Sequence, residues 1–261
     1  MSKKIAYFGD ESSFTYACAI ENYRGNEMVG YATIFSAVEA VHLGLVDGAL
    51  VPIENSVGGT VGETIDALRL HKVYITAQHL LPVRHSLITV KGAEKSKIKR
   101  VYSHYQALSQ CEKYLKSELP QATLMPVSST SEALKVLSKS DEAAIARLPL
   151  PGQTVLESGI EDNKHNVTRF VYLERTPSFN GQSVSVTFDT PNRPGALLKV
   201  LLVFEELGIN MHKLESRPAR DGEFHYWFYV EFGSDGDEKA IMEVIEKLRE
   251  RTERMRFLGN Y

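Results

Sequence analysis

Cysteine is scarce in this chain, with two in 261 residues. Cys18 and Cys111 fall in apolar helical patterns without C-x-x-C spacing, which reads as two buried thiols and argues against a disulfide framework or a cysteine-based metal site. Long apolar runs are missing as well. None approaches the roughly 18 residues of a membrane span, and Met1-Ser2-Lys3-Lys4-Ile5 lacks an apolar signal region, so a cytoplasmic protein without membrane contact is expected. Neither sign of charge dominates: 33 acidic and 30 basic side chains give a net charge of -3. With no large single-sign block, nucleic acid is not an expected partner. No Gly-x-x-x-x-Gly-Lys-Ser/Thr occurs, which excludes a P-loop. What is present is an ordinary globular composition, 43% hydrophobic and 24% charged, at a length that favours two domains.

The first half alternates strand and helix. Ile5-Ala6-Tyr7-Phe8 is a short apolar strand, and the turn Gly9-Asp10-Glu11-Ser12-Ser13 opens a helix through Phe14, Ala17 and Cys18. A second apolar stretch ends at Ile34-Phe35, and Ser36 reads as the N-cap of a helix from Ala37 to Leu43. Gly48 to Ile53 forms a third strand. A Gly/Ser/Thr turn from Glu54 to Thr60 follows, then a helix burying Val61, Ile65 and Leu68. The same order recurs at Val101-Tyr102-Ser103, the helix with Leu108, Cys111 and Leu115, the stretch from Leu124 to Thr130, the helix with Ala133, Leu134 and Leu137, and Ala143 to Ala146. Two similar α/β lobes with a cleft between them are the expectation.

Four turns would meet in that cleft: Ser12-Ser13-Phe14-Thr15, Asn55-Ser56 with Gly58-Gly59-Thr60, Ser103-His104, and Ser128-Ser129-Thr130-Ser131. Each offers hydroxyls and free N–H groups at a helix start, which suits carboxylate or phosphate oxygens. Capping alone explains any one of them; four aimed at one cleft point to an anionic small molecule. Asn163 to Phe170 then leads into an apolar strand, with Thr168 beside Arg169, and Glu174 to Gln182 reads as a linker.

Beyond the linker the pattern changes. Val184 to Phe188 alternates strictly, Pro194-Gly195 introduces a helix with Leu197, Leu198, Leu201 and Leu202, and a strand runs from Met211 to Ser216. A long strand from Phe224 to Phe232 carries aromatic residues on both faces: Phe224, Tyr226, Phe228 and Phe232 on one, His225, Trp227 and Tyr229 on the other. Helices cover only one face of so small a sheet, so the second row is expected to meet another domain or subunit. A helix burying Ile241, Val244, Ile245 and Leu248 and a last strand at Met255 to Leu258 complete a ferredoxin-like βαββαβ order.

Val51-Pro52-Ile53-Glu54-Asn55-Ser56, Arg100-Val101-Tyr102-Ser103-His104 with Gln106-Ala107-Leu108, Val127-Ser128-Ser129-Thr130, Asn166-Val167-Thr168-Arg169-Phe170, Pro194-Gly195-Ala196-Leu197, Gly208-Ile209-Asn210 and Glu215-Ser216-Arg217-Pro218 stand in one order. Together they make the chain resemble prephenate dehydratase with a C-terminal ACT regulatory domain. The resemblance implies a two-lobed, periplasmic-binding-protein-like catalytic region over 1–176 and an ACT domain over 183–261. It implies conversion of prephenate to phenylpyruvate, water and carbon dioxide, without metal or organic cofactor, and feedback by L-phenylalanine in a homodimer or homotetramer. Thr168 takes the position essential for activity in that family. Ser13, Asn55, Ser56, His104, Ser129, Thr130, Arg169 and Phe170 are the expected substrate-binding residues. Gly195, Ala196, Leu197, Asn210, Glu215, Ser216, Arg217 and Pro218 are expected to form the effector pocket.

Aromatisation drives the reaction, so the enzyme must hold a dianion and help hydroxide leave. A threonine hydroxyl is a weak acid, so Thr168 is expected as an oriented hydrogen-bond donor to the departing oxygen. Glu54 and Glu11 are the alternative proton donors. Arg169 either pairs with a substrate carboxylate or braces Glu54, and His104 either bonds in the cleft or caps its helix. Three departures from the family's pattern stand out: Gly9 to Thr15 lacks the usual Pro and Gly, Gly58-Gly59-Thr60 replaces Glu-Gly-Ser, and His212 replaces a frequent Thr. Rival readings are an arogenate dehydratase, a non-aromatising prephenate decarboxylase, and a non-enzymatic binder of anionic ligands.

Overall fold

The computed structural model describes residues 2–219 and 225–261. The N-terminal alternation folds as β1 (Lys4–Phe8), α1 (Phe14–Asn22), β2 (Glu27–Tyr31), α2 (Ile34–His42), β3 (Gly48–Asn55), a short β4 (Gly59–Thr60), α3 (Gly62–Leu70) and β5 (Tyr74–Pro82). The repeat gives β6 (Ser86–Val90), β7 (Arg100–Ser103), α4 (Tyr105–Gln110), α5 (Glu112–Glu118), β8 (Thr123–Pro126), α6 (Thr130–Val136), β9 (Glu142–Ala146) and β10 (Gln153–Ser158). Then β11 (Val167–Glu174) runs back into the first lobe.

The two sheets share one plan. Lobe 1 is ordered β2-β1-β3-β11-β5 and lobe 2 β8-β7-β9-β6-β10. In each, three parallel strands are followed by an antiparallel strand that has just crossed from the other lobe. The sequence repeat makes β1 equivalent to β7 and β3 to β9; the exchanged strands β6 and β11, for which it gave no signal, stitch the lobes together. The two crossings lie side by side, with Val83 N–H donating to Asn166 O at 2.8 Å. The mixed α/β, periplasmic-binding-protein-like architecture is therefore present.

Two local expectations change. Thr33, not Ser36, caps α2: its Oγ1 accepts from Ser36 N–H at 3.0 Å. Starting the helix at Ile34 buries that side chain in the lobe 1 core. The helix expected through Leu108, Cys111 and Leu115 breaks at Cys111. Asp162, from the loop leading to β11, accepts from Lys113 N–H (3.0 Å) and Tyr114 N–H (3.4 Å), while its own N–H donates to Gln110 O (2.7 Å). A carboxylate that takes up the first donors of α5 supplies a cap in mid-pattern, which hydrophobic spacing cannot foretell.

The C-terminal domain comprises β12 (Ser183–Asp189), α7 (Ala196–Glu206), β13 (Met211–Pro218), β14 (Tyr226–Gly233), α8 (Glu238–Arg251) and β15 (Arg254–Asn260), in the antiparallel order β13-β14-β12-β15. Phe224, where the sequence reading began the third strand, lies outside the described residues. Val184, Val186, Phe188, Val230 and Phe232 pack under α7 and α8. The opposite face carries Trp227, Tyr229, Leu258 and Tyr261, which join Ile65, Leu68 and Ile75 in the core of lobe 1. The second aromatic row thus meets a domain of its own chain. Each large apolar side chain buried there contributes roughly 1.5–3 kcal/mol to the docking.

Polar groups fix the orientation of that docking around α3. Arg217 forks onto Asp66 at 3.0 and 2.9 Å. Arg69 pairs with Asp189 (2.9 Å) and lies 4.6 Å over the Trp227 ring. Arg256 donates to the carbonyls of Arg69 (2.9 Å), His71 and Val73, satisfying the C-terminal end of α3 and complementing its dipole.

Candidate active site and effector domain

The carboxyl end of β3 and the start of β11 lie side by side, with Asn55 paired to Thr168 and Glu54 to Arg169. Asn55 is held in one orientation. Its Oδ1 accepts from Val57 N–H (3.0 Å) and Gly58 N–H (2.7 Å), which turns Nδ2 toward Asn166 Oδ1 (2.7 Å) and Thr168 Oγ1 (2.9 Å). Thr168 therefore receives a hydrogen bond, and its own hydroxyl hydrogen has no acceptor among the described residues. Asn166 adds a second free donor: its buried Nδ2 has no partner among the described residues. Asn166 was quoted in the motif but not expected in the site, and its orphaned amide becomes visible only when the fold buries it.

The other expected turns are brought together in two pairs across the lobes. Ser12 Oγ lies 2.5 Å from Ser131 Oγ, and Asp10 takes bonds from Ser12 Oγ (2.6 Å), Ser131 Oγ (2.7 Å) and Lys135 Nζ (3.3 Å). Ser13 and Ser129 cap α1 and α6, and Thr130 is the first residue of α6. At the other pair, the Asn55–Gly58 turn approaches α4 so closely that a Cβ on Gly58 would sit 2.7 Å from Gln106 Nε2. His104 caps α4, Nδ1 accepting from Gln106 N–H at 3.4 Å. Ser56 Oγ accepts from Val167 N–H (3.0 Å) and donates to His165 O (3.3 Å), bracing the crossing.

Two expected ligand contacts are committed elsewhere. Arg169 takes the bracing alternative: Nη2 reaches Glu54 Oε2 at 2.8 Å and the Glu231 carboxylate at 2.7 and 2.9 Å. Strand alternation puts it on the sheet face opposite Thr168. Phe170 is 1% exposed and packs with Ile5, Tyr7, Cys18 and Leu50 under α1, so it is a core residue. The alternative proton donors fare poorly too. Burial pushes the Glu54 carboxyl up, but bonds and charges from Lys213 and Arg169 outweigh it and hold Glu54 below the usual carboxylate range. At neutral pH Glu54 is an anion with no proton to give. Glu11 is exposed. Among the described residues no three His, Cys, Asp or Glu side chains are grouped to hold a metal ion, and no helix is long and apolar enough to cross a membrane.

A family model described as prephenate dehydratase matches residues 5–178, and one described as ACT domain matches 184–250. The chain belongs to the prephenate dehydratase family. It is 34% identical over 273 residues to the prephenate dehydratase of Lactococcus lactis, covering 99% of this chain and 97% of that one. It is 34% identical over 266 residues to a bifunctional chorismate mutase/prephenate dehydratase of Pseudomonas aeruginosa, covering 99% and 73%. A crystal structure of prephenate dehydratase from Arthrobacter aurescens, in complex with L-Phe, superposes with a TM-score of 0.90 at 31% identity, covering 99% and 89%.

Within this prephenate dehydratase fold, the residues expected at the effector pocket divide. Gly195, Ala196, Leu197 and Pro218 line a groove of about 1040 Å³ between the β12–α7 loop and α3. Gly195 caps α7 with φ of 79°, a left-handed backbone that a side chain would strain. Asn210 and Ser216 are exposed. Glu215 and Arg217 alternate with Ser216 and turn the other way, onto lobe 1: Glu215 accepts from Thr60 Oγ1 at 2.5 Å, and Arg217 holds Asp66. These two side chains are docking residues, a correction that follows from the one-sided packing of β13: Glu215 and Arg217 lie on the face turned to lobe 1, while Leu214 and Ser216 on the other face are exposed.

Proposed function

We propose that this protein is a phenylalanine-responsive prephenate dehydratase of phenylalanine biosynthesis. The carrying observation is Thr168, held by Asn55 so that its hydroxyl proton is free, at the hinge of two α/β lobes. In the reaction the pair of the ring-to-carboxylate bond moves into the ring as carbon dioxide leaves, and the ring C–O bond breaks to give hydroxide, which takes a proton from solvent and leaves as water. Thr168 hydrogen-bonds the oxygen as its charge grows, an interaction stronger in the transition state than in the ground state. Ser13 and Ser129 cap the helices that face the bound dianion, with Thr130 in the first turn of α6, and Asn55, Ser56 and His104 close its other end.

For regulation, the reading places L-phenylalanine at Gly195, Ala196 and Leu197, with Asn210, Ser216 and Pro218. Lys213 Nζ to Glu54 Oε1 (2.7 Å) and Glu231 to Arg169 then tie the effector domain to the strand pair that carries Asn55 and Thr168. An effector that favours one packing of this seam biases the catalytic geometry through its differential affinity. Exposed Leu198, Leu202, Leu214 and Tyr226 beside these residues support assembly as a homodimer or homotetramer. The division at 1–176 and 183–261 and a cytoplasmic location complete the reading.

The test is turnover of prephenate by purified protein, followed through the ultraviolet absorbance of phenylpyruvate, with and without L-phenylalanine, and with arogenate as rival substrate. Formation of phenylpyruvate, suppressed by L-phenylalanine at concentrations where L-alanine is inert, is the expected result. A non-aromatic product, preference for arogenate, or stoichiometric binding without carbon dioxide release would each replace it with the corresponding rival.

A further inference from the structure

Lobe 2 carries, at the carboxyl end of its central strand, a cation that no described residue pairs with. Arg147 follows Ala146 at the carboxyl end of β9. Its Nε is buried without a partner, and no described residue bonds or pairs with its guanidinium. Arg147 is half-buried, and the other half-buried arginines, Arg69, Arg100, Arg169, Arg217 and Arg256, all have carboxylate or carbonyl partners. Burial alone pulls the Arg147 guanidinium below its ordinary pKa, with no anion to offset the loss of water. A half-buried guanidinium with one N–H cut off from water and no anion beside it is costly, and such groups cluster at functional sites.

Its place is set by strand register. Ala146 pairs with Ser86, which puts Arg147 level with His85 at the hinge. Leu81, the partner of Thr168 on β5, stands four residues before His85, at most about 14 Å of extended chain. On its other side β9 pairs with β7, which runs straight into the Ser103-His104 turn. Ile145 faces the Leu108 and Cys111 core and Ala146 the α6 side, so alternation returns Arg147 to the α4 side, toward the helix that meets the Asn55–Gly58 turn.

We propose that Arg147 is the substrate-carboxylate anchor of this enzyme, supplied from lobe 2. The inference rests on the prephenate dehydratase reading and deepens it. That substrate carries two carboxylates. Arg169, the cation first expected to meet one, is already shared between Glu54 and Glu231. A planar guanidinium at the hinge offers the paired donors a carboxylate takes, and an anion bound there holds lobe 2 against the Asn55–Thr168 pair of lobe 1. Arg147 is a binding residue here, with no part in breaking the C–O bond.

The experiment compares wild type with Arg147→Met, Arg147→Gln and Arg147→Lys in the full chain, by steady-state kinetics with prephenate and by thermal melts with and without it. For Met and Gln, KM is expected to rise about 10- to 100-fold, the span of one lost charge-assisted bond, with the loss falling mainly on KM. Lys recovers part of it. Without ligand, Arg147→Met melts at or above wild type, since an uncompensated charge is gone, while most of the prephenate-induced rise in Tm disappears. An unchanged KM with a lower melting temperature would make Arg147 structural and overturn the proposal, as would a fall in kcat alone. Failure of the underlying reading looks different: wild type itself would neither turn over prephenate nor be stabilised by it.

Discussion

Arg169 and Glu231 join the two domains in a buried seam, Arg169 Nη2 lying 2.7 and 2.9 Å from the two oxygens of Glu231. Glu231 also accepts from Tyr229 Oη at 2.5 Å, and Ser185 bridges Tyr229 (3.0 Å) and Tyr261 (2.6 Å). On the other side Arg169 holds Glu54, which also takes Lys213. Since Thr168 precedes Arg169 and Asn55 follows Glu54, this seam lies one residue from both members of the hydrogen-bonded Asn55–Thr168 pair. Separation of the domains would leave charged groups buried and alone, so the C-terminal domain is a structural part of lobe 1.

Replacing Glu231 by Gln tests that seam. Removing one member of a buried pair costs about 3–5 kcal/mol because the other stays behind. Chemical denaturation is expected to show a loss of this size, with a weakened response to L-phenylalanine. A stability change under about 1 kcal/mol would mean that the pair is solvated in solution.

At the proposed catalytic position, Thr168→Ala is expected to lower kcat about 10²- to 10³-fold, the effect of one lost transition-state donor, with a smaller change in KM. Thr168→Ser keeps the hydroxyl and should recover much of the rate. Equal loss in both variants would favour a packing role over hydrogen bonding.

In the effector domain, Gly195→Val is expected to abolish inhibition by L-phenylalanine, because the left-handed turn at 79° admits only glycine without strain. Arg217→Ala and Asp66→Asn should instead resemble each other, each loosening the docking of β13 on α3. A double-mutant cycle measured by thermal stability is expected to show coupling of 0.5–3 kcal/mol between them. Additivity would place Arg217 in the effector pocket after all.

Acid stability depends on two buried imidazoles. Burial, reinforced by His42, pulls His71 below the ordinary value, and burial does the same to His85 against the opposing effects of Gln110 and Glu161. The unfolded chain protonates both near pH 6.5 while the folded chain resists. Stability is therefore level at high pH and is lost as pH falls from about 6.5 toward the depressed folded values, by up to about 1.4 kcal/mol per pH unit for each histidine. Denaturant midpoints from pH 8 to 5 measure this, and His85→Gln should flatten the slope.

The sequence by itself determined the kinds of element and the chemistry on offer. Period-two and helical patterns marked β1, β3, β7, β9 and the C-terminal βαββαβ order, because local periodicity records which face is buried. The motif stretches marked Asn55, Thr168 and the Gly195 turn, because a cap or a left-handed turn restricts residue type locally. Tertiary structure alone decided which groups were already taken. Residues far apart in the chain meet only after β11 has crossed back, so sequence could not tell that Arg169 belongs to Glu54 and Glu231, that Phe170 is core, or that Glu215 docks on β4 and Arg217 on α3. Nor could it show that Asp162 splits a helix, or that Asn166 Nδ2 and Arg147 Nε are buried without partners among the described residues. A hydrogen bond or ion pair depends on distance in space, and nothing in one-dimensional spacing carries that.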